Sequence, residues 1–60
     1  MIITTIATKP LTEGGHATVD CEQYGRNRTY WLIISSPTRG FSITPQPSKR
    51  AALAALKKLS

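Results

Sequence analysis

The chain is predicted to be an α+β domain: a three- or four-stranded antiparallel β-meander with one C-terminal α-helix packed on one face. Three observations predict it. Residues 16–24 alternate side by side like a half-buried strand, residues 28–35 are the most β-favouring segment, and the Ala/Leu-rich stretch after Ser48 repeats with helical period. Sixty residues allow one domain, spanning 1–60. A chain of this size buries only about 60% of its unfolded surface, so its stability is marginal without a staple. One cysteine excludes an internal disulfide, and Cys21 with a single histidine, His16, cannot close a structural zinc site. Compact packing, oligomerisation or a partner must supply the rest.

The first strand is expected over residues 2–8, where Ile and Thr favour the pleated state, and Lys9-Pro10 is expected to end it because proline cannot donate to a ladder. Glu13-Gly14-Gly15 reads as a flexible loop. Over 16–24, Ala17, Val19, Cys21 and Gln23 point one way, and His16, Thr18, Asp20, Glu22 and Tyr24 the other. A third strand follows over 28–35, and the two should form a hairpin.

The register of that hairpin stays open. A three-residue loop with Asn27 left-handed pairs Tyr24 with Arg28 and sets Trp31 and Ile33 beside Val19 and Cys21. A two-residue loop led by Gly25 pairs Tyr24 with Asn27 and sets Tyr30, Leu32 and Ile34 there instead. In both cases the second face keeps bulky apolar groups next to Asp20 and Glu22, which points to a homodimer or a protein partner.

Residues 36–40 read as a turn, 41–44 as a short optional fourth strand, and Pro45-Gln46-Pro47 as an extended connector. Ser48 is the expected N-cap of a helix over about 48–59. Ala52, Leu53, Leu56 and Leu59 fall on one stripe, facing the sheet; Arg50, Ala54, Lys57 and Lys58 fall on the other, leaving the exposed side basic.

Charge is the most informative feature for function. All three acids, Glu13, Asp20 and Glu22, lie within ten residues, whereas Arg26, Arg28, Arg39, Lys49, Arg50, Lys57 and Lys58 follow with no acidic side chain among them. Seven cations without internal partners would make a one-signed surface that attracts polyanions. Lys49 and Arg50 sit where the helix dipole is already positive, an unfavourable placement that makes sense if an anion docks there. Nucleic-acid binding is therefore the leading expectation, with these seven residues as phosphate contacts. The hairpin tip, Arg39 and the helix are the expected surface, since Asp20 and Glu22 oppose laying the sheet on DNA. The alternative is a protein-binding modulator, an inhibitor or adaptor, docking on an acidic partner through the sheet face with Tyr30 or Trp31 as anchor. The meander-plus-helix layout is common to DNA-reading modules and to small inhibitors, so layout does not separate them.

Catalysis is not expected. His16, Asp20 and Glu22 share a strand face, but His16 lies about 13 Å from Asp20 along it, too far for one ion. Cys21 has no positioned base beside it and should pack as a small hydrophobe. No phosphate loop, nucleophile elbow or CxxC pair occurs. No cofactor and no metal are implied. Neither a signal peptide nor a run of about 20 apolar residues is present, so a cytoplasmic protein with no membrane contact is expected. The chain reads as a complete small gene product of the kind that phages and other mobile elements encode.

Overall fold

A computed structural model describes residues 1–59. Five elements follow in order: β1 (Ile2–Pro10), β2 (His16–Tyr24), β3 (Asn27–Ser36), β4 (Gly40–Gln46) and α1 (Lys49–Lys58). The four strands form one antiparallel sheet in the order β1-β2-β3-β4, and the helix lies over β2, β3 and β4 on one side. The optional fourth strand is present and longer than expected.

Gly25 settles the register. Its φ of 62° and the absence of positive φ at any non-glycine among the described residues make Gly25-Arg26 a two-residue turn of type II′, with Tyr24 opposite Asn27. Ladder partners share a face, so Val19 and Leu32, Ala17 and Ile34, and Cys21 and Tyr30 all point towards the helix. Trp31 and Ile33 point away from it. The core is thin: Leu11, Ala17, Val19, Leu32, Ala52 and Leu56 are its buried members. Ala17 and Ala52 are fully buried, and small side chains on both layers let the helix approach the sheet closely. Leu32 and Leu56 each contribute about 1.5–3 kcal/mol of apolar burial.

Pro10 is the last residue of β1, two residues beyond the expected end at residue 8, whereas Pro45 of the expected connector lies within β4. Pro10 is opposite His16 on β1, and Pro45 is opposite Trp31 on β4. The reason is position: β1 and β4 are the sheet's edges, where a proline can turn its missing donor outwards. The ladder of β1 slips between Thr5 and Ala7, and the extra residue, Ile6, packs against the core. That bulge interrupts an edge whose residues 2–8 carry no charge and would otherwise invite pairing by another strand.

The loop between β1 and β2 is pinned rather than flexible. Leu11 tucks into the core, its N–H bonds Gly15 O at 3.2 Å, and Gly14 N–H bonds Leu11 O at 3.0 Å. Gly15, at φ 79°, lies directly against the backbone of Ser35 and Ser36.

The helix is capped at both ends. Ser48 Oγ accepts the Ala51 N–H at 3.1 Å, as expected of an N-cap. At the other end Lys9 Nζ donates to the carbonyls of Leu59 and, at 3.2 Å, Lys57, placing a cation on the negative end of the dipole. Ser48→Ala should lower stability by about 1 kcal/mol, read as a denaturation midpoint shifted with unchanged m-value. An unshifted midpoint would show that the cap contributes nothing.

Candidate functional site

The two sides of this slab have different chemistry. On the helix side, α1 buries Ala52 and Leu56 and leaves Lys49, Arg50, Ala54, Lys57 and Lys58 exposed. Arg28 pairs with Gln23, whose alternation partners are Cys21, Val19 and Ala17, so Arg28 belongs to the helix side too. Arg26 occupies the hairpin turn. Because Gln46 is opposite Tyr30, the chain enters the helix at the hairpin end of the sheet. The fold thus gathers Arg26, Arg28, Lys49 and Arg50 at one end, together with the helix N-terminus. That first turn contains no acid, and Ser48 takes up only the Ala51 donor, leaving the Lys49 and Arg50 N–H groups for solvent or an anion. Lys57 and Lys58 lie at the opposite end, beside the Lys9 cap.

Arg39 departs from the other cations. Its Nε lies 2.8 Å from Glu13 Oε2, which also accepts from Thr38 Oγ1 at 3.3 Å and Ser36 Oγ at 3.5 Å. Ser36 Oγ in turn accepts the Arg39 N–H at 2.8 Å and closes the β3–β4 turn. The premise that all seven cations lack internal partners therefore fails at Arg39, because two loops far apart in sequence meet at the same end of the sheet. The pair is partly exposed and contributes at most about 1 kcal/mol, but it occupies the guanidinium. Arg26, Arg28, Lys49, Arg50, Lys57 and Lys58 make no ion pair among the described residues.

The open side of the sheet carries the other acids. Ile3 pairs with Glu22, Thr5 with Asp20, Asp20 with Trp31, Trp31 with Pro45, and Ile33 with Ile43. Ile3, Asp20, Glu22, Trp31, Ile33 and Ile43 line a shallow groove of about 280 Å³. Ile3 is 57% exposed, Ile43 51% and Phe41 69%. The pattern of β4 is inverted relative to the core: Ser42, Thr44 and Gln46 face the helix side, while Phe41, Ile43 and Pro45 face the open side. Asp20 Oδ1 is buried in this setting and has no hydrogen-bond partner among the described residues. No lysine or arginine projects from the strands on this face, as the ladder alternation shows.

Tyr30 and Trp31, paired by the sequence as interface candidates, are separated. Tyr30 packs against the core from the helix side, and Trp31 alone reaches the open face. Cys21 is a free, half-buried thiol beside Tyr30. His16 is exposed at the far end of the open face, opposite Ser35, and among the described residues no three His, Cys, Asp or Glu side chains group closely enough to hold a metal ion. No helix among the described residues is long and apolar enough to cross a membrane.

Comparison with protein-family models, with curated proteins and with solved structures finds no match for this chain.

Proposed function

We propose that this chain is a small nucleic-acid-binding accessory or regulatory protein that grips phosphates with its helix side and hairpin tip. The observation that carries the reading is the sorting of charge: six cations free of ion pairs among the described residues lie on the helix and the hairpin, while Asp20 and Glu22 lie on the other side of the sheet and Glu13 is engaged. Arg26, Arg28, Lys49 and Arg50 form the main contact around the helix N-terminus, and Lys57 and Lys58 extend it along the exposed helix face. Arg39, held by Glu13, plays at most a peripheral part. Affinity comes mainly from phosphate neutralisation, which carries no sequence information, with little base reading.

The test is a salt-resolved titration of labelled DNA and RNA oligonucleotides by fluorescence anisotropy. Six phosphate contacts on duplex DNA give a log–log slope of about −5, so affinity falls on the order of a thousandfold between about 50 and 200 mM salt. Affinity that is absent at low salt, or unchanged as salt rises, sinks this reading.

A further inference from the structure

We propose that the uncovered sheet face is a second, separate docking surface, and that its occupant is a partner protein's basic segment: an arginine or lysine flanked by apolar side chains. This goes beyond nucleic-acid binding and does not depend on it, because the two surfaces are on opposite sides of the sheet.

The face is built for a second layer. A strand that served only the helix-side core would turn its apolar residues inwards, yet β4 turns Phe41, Ile43 and Pro45 outwards and its serine and threonine inwards. Trp31 and Ile33 of β3 and Ile3 of β1 continue the same apolar surface across the sheet. In a small domain such a contiguous patch marks an interaction site.

Charge selects the occupant. Within the apolar groove stand two carboxylates, those of Asp20 and Glu22. Both carboxylates line the groove with no lysine or arginine from the strands beside them, so a cation brought by a partner is the complementary group. A guanidinium satisfies the chemistry best, since it can bridge carboxylates with a fixed fork of donors and stack on the indole of Trp31. A second copy of this chain fits poorly. Its equivalent face offers no lysine or arginine from its strands, so packing the two faces together would bury four carboxylates, two from each copy, against no such cation. Nucleic acid fits worse, because its phosphates would meet Asp20 and Glu22. An acidic protein, the partner expected from net charge, is repelled from this face for the same reason.

The test is selection of random twelve-residue peptides displayed on phage against the immobilised chain, followed by titration of the selected peptides while Trp31 fluorescence is recorded. The expected result is enrichment of a lysine or arginine between apolar residues. Asp20→Asn, nearly isosteric, should weaken those peptides about thirtyfold or more. Ile43→Asp, at an exposed position, should also abolish binding, and circular dichroism checks that both variants fold. Arg26→Gln with Lys49→Gln should leave peptide binding unchanged. Selected peptides without a cation, equal affinity for Asp20→Asn, or no selectable binder would overturn the proposal. So would sedimentation showing a dimer that covers Trp31, or an oligonucleotide that shifts Trp31 and is displaced by the peptides.

Discussion

Replacing Arg26, Arg28, Lys49 and Arg50 together by glutamine should reduce affinity for duplex DNA on the order of a thousandfold at about 0.1 M salt and lower the log–log salt slope by about four units. The four residues are singled out by topology rather than by number. The β2–β3 turn and the entry to α1 lie at the same end of the sheet, because Gln46 pairs with Tyr30 only a few residues from Gly25. All four side chains are exposed, so their replacement removes charge without opening the core. Arg39→Gln is the internal control. Its guanidinium is already held by Glu13, and its loss should change the slope by well under one unit. Equal losses for Arg39→Gln and for Arg28→Gln would mean that net charge alone governs binding and that the geometry of the hairpin end is irrelevant.

The largest effect on stability is expected at Gly15. An added Cβ would lie 2.7 Å from Ser36 Cα and closer still to the Ser35 carbonyl oxygen, and φ is 79°. Both obstacles are backbone, which cannot rotate aside. Left-handed strain and overpacking together make Gly15→Ala costly by about 3 kcal/mol or more. A domain of this length has a total stability of about 3–9 kcal/mol, so the melting temperature should drop by roughly 12–24 °C. Gly25→Ala makes the comparison informative. Its φ of 62° carries similar backbone strain, but a Cβ there meets nothing within 4 Å. Its cost should stay near 1–2 kcal/mol. If the two variants melt together, the loop does not pack against the end of β3.

Much of the fold is legible in the residues because it rests on local patterns. Strict alternation over 16–24 separates Ala17 and Val19 from Asp20 and Glu22, and the alanine and leucine spacing after Ser48 assigns Ala52 and Leu56 to the core. What escapes such reading depends on where an element sits in the sheet. Whether Pro10 and Pro45 can lie in strands depends on their being at edges, a property of strand order. The bulge at Ile6 has no periodic signature. The burial of Leu11 and the Glu13–Arg39 pair arise because two turns meet at one end of the sheet, a contact no local window contains. The hairpin register sat between two turn types, and the type II′ turn at Gly25 decided it. The sequence does carry one further signal: in Phe41-Ser42-Ile43-Thr44-Pro45, apolar residues alternate in step with Trp31 and Ile33 rather than with Leu32. Once the β3–β4 turn is placed, that phase alone puts an apolar layer on the open face. As for the site, charge segregation along the chain anticipated a basic surface, but only the fold divides the cations by face and removes Arg39 from the free set.

The most direct measurement of the two-sided arrangement is an amide and indole NMR titration of the intact chain with a DNA duplex at low salt. The expected result is that Arg26, Arg28 and Ser48–Arg50 shift progressively with added duplex, while the Trp31 indole and the amides of Asp20 and Glu22 stay in place. Shifts centred on Trp31 and Asp20, with the helix entry unmoved, would contradict it.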